Sequence, residues 1–118
     1  MNKFRRTLGA STLIHDKVVN LAGEELGRIE EIMIDVTTGR VAYAVMSFGG
    51  FMGINGKLFA LPWSALTVDE TNKRFVVNVA KESLELMDGF DKDHWPDLND
   101  LEYATGVYRA WGVTPHWQ

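Results

Sequence analysis

Between residues 17 and 79 apolar side chains recur mostly at every second position, the spacing of strands with one buried face. Residues 17–20 (Lys-Val-Val-Asn) read as a short strand, and 21–24 (Leu-Ala-Gly-Glu) as a turn in which Gly23 supplies a positive φ. Residues 25–36 form a longer extended segment, with Ile32, Ile34 and Val36 alternating against Met33 and Asp35. Ile29 stands three residues before Ile32 and breaks the period of two. A β-bulge at Glu30-Glu31 restores both isoleucines to one face. Thr37-Thr38-Gly39 turns the chain into 40–48, where the run Val-Ala-Tyr-Ala-Val-Met-Ser-Phe is apolar on both faces and needs cover on both. A glycine-rich connection, 49–56, leads to a strand at 57–61 that Pro62-Trp63 ends. Residues 64–66 suit a turn of helix, 67–69 extend, 70–73 make a polar turn, and 74–79 form the last strand, with Phe75, Val77 and Val79 on one face.

Beyond residue 80 the period changes. Residues 81–87 suit a short helix burying Leu84 and Met87, and 89–98 a loop containing Pro96. Residues 100–111 again read as helix: Leu101, Ala104, Tyr108 and Trp111 fall on one face at steps of three and four. Asn99 or Asp100 can cap its start and Gly112 can stop it.

The chain has 118 residues and a mass of 13.3 kDa, the size of one domain. It contains no cysteine, which excludes thiol catalysis, disulfides and cysteine-based zinc sites. No apolar run approaches the ~20 residues of a membrane span. The basic start, Met-Asn-Lys-Phe-Arg-Arg, lacks the apolar stretch that follows in a signal peptide, so a cytoplasmic location without membrane insertion is expected. The net charge of −4 is unevenly placed. Residues 1–9 carry +3 from Lys3, Arg5 and Arg6, whereas residues 82–102 carry −7, eight acids against Lys92. Nucleic-acid binding wants clustered lysine and arginine, and the short N-terminal arm is the one such group, so a nucleic-acid partner is not expected.

The candidate chemistry is thin. In the glycine-rich connection Gly56-Lys57 is followed by Leu58 rather than Ser or Thr, and the loop joins strand to strand, so it does not read as a phosphate cradle. Its apolar tips, Phe51, Met52 and Ile54, suit packing against the end of the β body or a second subunit. Residues 91–97 (Asp-Lys-Asp-His-Trp-Pro-Asp) have Trp and Pro where a calcium loop needs an oxygen ligand and glycine. His15, His94 and His116 are far apart, so no metal is expected. Glu30, Glu31 and Asp35 are the best paired acids. Strand neighbours point to opposite faces, and Asp35 precedes a turn, where aspartate binds local amides. No serine sits in a nucleophile-elbow context. No cofactor and no enzymatic activity are expected.

The ordered combination of Gly23, Leu26-Gly27-Arg28-Ile29, Ile34-Asp35, Thr38-Gly39-Arg40, the 42–48 strand and Leu61-Pro62-Trp63 resembles the PRC-barrel domain, over roughly residues 12–80. The resemblance implies an all-β fold, a small closed antiparallel barrel of about six strands without exposed edges. It also implies an adaptor or assembly role, without a catalytic residue set. Residues 1–9 then form a basic arm, 10–80 the barrel, and 81–118 a short-helical, aromatic extension. Two rival roles follow from relatives of the domain: a ribosome- or RNA-associated maturation factor, and an accessory protein binding a small ligand or a membrane-complex partner.

The aromatic surplus lies outside the barrel motif, in Trp95, Tyr103, Tyr108, Trp111 and Trp117. Leaving so many rings exposed is unfavourable for a free monomer. The tail therefore covers its own barrel or reaches across to a second copy, and a homodimer clamped by the extension is the favoured expectation. The expected interface comprises these five rings together with Val41, Tyr43 and the Phe51, Met52 and Ile54 tips. A further protein partner of unidentified nature completes the expectation.

Overall fold

The computed structural model describes residues 7–49, 56–115 and 117. Six strands form one sheet: β1 (Lys17–Val19), β2 (Glu25–Asp35), β3 (Arg40–Phe48), β4 (Lys57–Pro62), β5 (Leu66–Asp69) and β6 (Arg74–Val77). A 3₁₀ turn, Trp63–Ala65, joins β4 to β5, and three short helices flank the sheet: α1 (Ala10–Leu13), α2 (Lys81–Leu86) and α3 (Leu101–Ala110).

The ladder runs β4-β3-β2-β1-β6-β5, leaving β4 and β5 at its two ends. Its pairs are antiparallel except β1 with β6, where Lys17, Val18 and Val19 lie beside Arg74, Phe75 and Val76 in parallel. The sheet is therefore mixed, which corrects the expectation of a wholly antiparallel one. The chain returns to β1 only after building β2 to β5, and it arrives along β1 in the same direction. Phe59 and Leu61 of β4, and Leu66 and Val68 of β5, belong to the same core as Val18, Ile29, Phe75 and Val77. The sheet is thus curled around one apolar filling. Ile29 and Phe75 are fully buried, each contributing about 1.5–3 kcal/mol by leaving water.

Two register irregularities shape β2 and β3. Ile29 pairs with Met46 and Glu31 with Val45, so Glu30 is the extra residue, and Ile29 and Ile32 both point inward. The bulge read from the isoleucine spacing is present. A second shift separates Met33, opposite Tyr43, from Ile34, opposite Val41, so the ladder steps over Ala42. Past it, toward the hairpin tip, Ile34 and Val36 are exposed, Val36 at 93%. The alternation that grouped Ile34 and Val36 with Ile32 on a buried face does not hold there. The tip itself is closed by Asp35, whose carboxylate accepts from the Thr37 amide at 2.9 Å, with Gly39 at φ +77. The β1–β2 turn is knitted by buried Asn20, whose Oδ1 accepts from the amides of Ala22 and Glu24.

Close approach fixes the residue at 27. A Cβ there would lie 1.6 Å from the Ser47 carbonyl oxygen, so β2 and β3 meet at a distance only glycine permits.

Candidate interaction site

The segment after β6 folds back onto the sheet in two steps. First, α2 buries Leu84 in the inner core, and the Lys57 ammonium donates to the carbonyls of Glu85 and Met87 at 2.9 and 2.6 Å, satisfying the end of the helix. Second, Phe90 pairs with Leu58, each amide donating to the other's carbonyl at 2.8 Å. This bridge covers part of the edge that β4 would otherwise present. Gly89 makes the approach possible: its φ is +61, and a Cβ would stand 2.7 Å from the Leu58 oxygen.

The chain then enters α3. Asp100 caps it, accepting from the Glu102 amide at 3.1 Å, and Gly112, at φ +67, stops it. The amides of Gly112 and Val113 donate back to Arg109 and Tyr108, a Schellman closure. Ala104 and Tyr108 face the outer side of β3 and β4, where they form a second core with Ala42, Tyr43 and Ala60. Leu101, grouped with them by helical spacing, is 65% exposed at the start of the helix.

Tyr108 fastens this arrangement. It is 1% exposed, and its hydroxyl donates to the Ala42 carbonyl at 2.7 Å. Ala42 is the residue the β2–β3 ladder steps over, so the side chain satisfies an acceptor at the irregularity. The Tyr108 ring also meets Tyr43 edge-on at 5.7 Å and Trp117 at 5.2 Å.

The outer face of β3 thus receives its cover from its own chain. Tyr43 and Tyr108, expected on an interface, are interior residues here because α3 docks on the strand that carries Tyr43. Val41 is half-buried and lines a small hollow of about 330 Å³ with Arg40, Trp63, Ser64, Tyr108 and Thr114. Trp95, 39% exposed, leans on Phe90 at 5.3 Å, and Trp117 is 37% exposed. Phe51, Met52, Ile54, the basic residues Lys3, Arg5 and Arg6, and His116 lie outside the described residues.

Tyr103 and Trp111 share a larger feature. A cleft of about 660 Å³ opens between α3, β4 and the 87–90 segment. Phe59, Phe90, Tyr103 and Trp111 supply rings to its lining, and Asp88, Asp100 and Glu102 supply carboxylates. Gly106, in the middle of α3, also lines it. The cleft was not legible from the sequence, because it exists only once Phe90 has paired with Leu58.

The titrations that move belong chiefly to the tyrosines. Burial, then the neighbouring Tyr108 and Tyr103, push the Tyr43 phenol from 10.0 up to about 12. Burial also raises Tyr103, and burial followed by the Asp35 charge raises Tyr108. The Tyr43 hydroxyl is buried without a hydrogen-bond partner among the described residues. The fold therefore favours the neutral phenol. Ionising the phenol in the folded state carries a penalty on the order of 2–3 kcal/mol, which is absent below pH 10.0 and builds as pH rises from there through about 12. Thermal melts should be level between neutrality and pH 9 and fall steeply above 10, a fall that Tyr43→Phe weakens. At neutral pH the same variant should hold or raise stability by about 1 kcal/mol, since it removes an unpaired buried hydroxyl. A clear loss would show that the hydroxyl is bonded.

Among the described residues no group of three or more His, Asp or Glu side chains could hold a metal ion. His94 and Asp91 approach to 3.4 Å but are largely exposed, so the pair contributes little. Glu30 and Glu31 stand exposed on the bulge. No helix among the described residues is long and apolar enough to cross a membrane.

A small, mostly β module with a curled sheet, its outer face capped by a C-terminal helix beside an acidic aromatic cleft, is the class of protein these features define. The sequence model of the PRC-barrel domain matches residues 6–84, two-thirds of the chain, and the chain belongs to that family. Among solved structures, one titled a putative 16S ribosomal RNA processing protein RimM, from Pseudomonas aeruginosa, is similar with a TM-score of 0.44 and 18% identity. The similarity covers 64% of this chain and 45% of that one, so this chain spans less than half of the protein it resembles. Comparison with curated proteins gave no match.

Proposed function

We propose that this chain is a non-enzymatic PRC-barrel interaction module that binds a protein partner through the face its C-terminal extension adds to the barrel. The supporting observation is the division of labour within the extension. Ala104 and Tyr108 are consumed in holding α3 to the sheet, while Trp95, Leu101 and Trp117 remain exposed and Tyr103 and Trp111 line an open cleft. An extension needed only as cover would bury its large rings, and partly exposed aromatics beside a concave surface are the usual anchors of protein contacts. Most of the carboxylates and hydroxyls that make defined bonds are engaged in caps, turns and the α3 clasp, which fits a binding role better than catalysis. Closure of the sheet into a barrel at the β4–β5 seam, the division into arm, barrel and extension, and a cytoplasmic location belong to this proposal.

Self-association is a second form of the same reading, favoured by the exposed Leu86, Trp95 and Leu101. Cover for β3 no longer requires a second copy, so a dimer would use these outward residues instead. Light scattering at tens of micromolar decides between them. A dimer that Trp95→Ser combined with Leu101→Ser converts to monomer supports self-association. A full-length monomer leaves the module with a different partner.

A further inference from the structure

Gly106 is a residue that its own chain does not require. It lies inside α3, where glycine lowers helix stability relative to alanine. Its backbone is not in the left-handed region, and a Cβ added to it would meet nothing within 4 Å. Neither conformation nor intrachain packing therefore calls for glycine. What the missing side chain leaves is open space along the cleft, where the backbone of α3 can be approached closely.

The charge and shape of the cleft describe what fits there. Asp88, Asp100 and Glu102 line it, and none of the described residues lining it is Lys, Arg or His. The surrounding segment 82–102 carries −7, so the local field favours a cation over an anion. Phe90, Tyr103 and Trp111 offer ring surfaces on which a guanidinium or an alkylammonium stem can lie. Asp88, Gly89, Glu102 and Gly106 are exposed at the same time, so the cleft is open rather than enclosing. A small-molecule site buries most of its ligand. An open groove with acids at its margin instead suits successive side chains of a longer chain.

We propose that the cleft between α3 and the Leu58–Phe90 edge is a docking groove for an extended partner segment bearing arginine or lysine among apolar residues, with Gly106 as its floor. This rests on the interaction-module reading and gives that partner its chemistry. The carboxylates pair with the cationic heads, the rings hold their stems and the apolar neighbours, and the bare backbone at 106 lets the segment settle.

The test is an amide-resolved NMR titration of the full-length protein with two ten-residue peptides, one alternating arginine with leucine and one alternating glutamate with leucine. The arginine peptide should shift the amides of Phe90, Tyr103 and Gly106 and the Trp111 indole, and its affinity should fall several-fold between low and high salt. The glutamate peptide should leave them unmoved. Gly106→Trp should fill the groove and weaken the arginine peptide by at least about ten-fold. Gly106→Ala provides the readout a structural role would not give: a raised melting temperature together with weaker binding. Should Gly106→Trp not fold, Gly106→Ala and the pair Asp88→Asn, Glu102→Gln decide. Shifts spread over the acidic segment and indifferent to all these variants would overturn the inference. So would free arginine amide binding as tightly as the peptide, which would make the cleft a small-cation site. Absence of peptide binding in a protein that still self-associates through Trp95 and Leu101 would remove the groove and leave the module reading standing.

Discussion

Tyr108→Ala is expected to detach α3 and to cost about 3–5 kcal/mol, the usual range for deleting a fully buried ring. The loss has three parts. A ring that is 1% exposed leaves a cavity against Tyr43, the Trp117 contact disappears, and the Ala42 carbonyl loses the hydroxyl that reaches it at 2.7 Å. That carbonyl belongs to the residue the β2–β3 ladder steps over, so losing the hydroxyl removes a bond the irregularity relies on. Tyr108→Phe isolates this part and should cost about 1–3 kcal/mol. The inner core of Val18, Ile29, Phe75 and Val77 does not include Tyr108. Hydrogen exchange in Tyr108→Ala should therefore rise sharply across 101–110 while β1 and β6 stay protected. Unchanged protection in α3 would mean that the helix is held by something other than this side chain.

A second large effect is expected at Gly27. The Cβ of Gly27→Ala would stand 1.6 Å from the Ser47 oxygen and 2.8 Å from its carbon, both backbone atoms beside the Gly27–Phe48 pair that begins the β2–β3 ladder. No side-chain rotation relieves that overlap, so the two strands must separate or shift register. We expect a loss of about 3 kcal/mol or more, at the upper end of overpacking effects, seen as a lowered melting temperature or loss of soluble protein. Gly106→Ala is the matched control, since its added methyl enters open space. Equal stability of Gly27→Ala and the natural chain would refute the close approach of β2 and β3.

What the sequence disclosed depended on whether a feature interrupted a period. The bulge at Glu30 was legible because Ile29 and Ile32 are separated by one residue too many for a strand. The irregularity at Ala42 was not, because 41–46 is apolar on both faces and has no alternation to disturb. The parallel partnership of β1 with β6 was equally hidden. Lys17-Val18-Val19 is three residues long and fits beside either direction of neighbour. Likewise α1, with Ala-Ser-Thr-Leu, carries too little pattern to announce a helix, although Leu13 reaches the inner core.

The extension divides in the same way. Helical spacing and caps disclosed α3, Leu84 and the Gly112 stop. Spacing could not tell whether the apolar face of α3 meets its own sheet or another chain, and the clasp from Tyr108 to Ala42 answers that for the fold described here. The aromatic residues were visible as a surplus, but the cleft depends on Phe90 returning to Leu58, a pairing that no local pattern encodes.

On the proposed function, the protein acts by binding, and the face built by its extension does the binding. This is tested by capture from the cells that make the protein, with the full-length chain and a variant combining Gly106→Trp, Trp95→Ser and Leu101→Ser as parallel baits, each shown to be folded by its thermal melt. The natural chain should retain one protein, bearing a basic segment, that the variant loses. The same protein retained equally by both baits would contradict it.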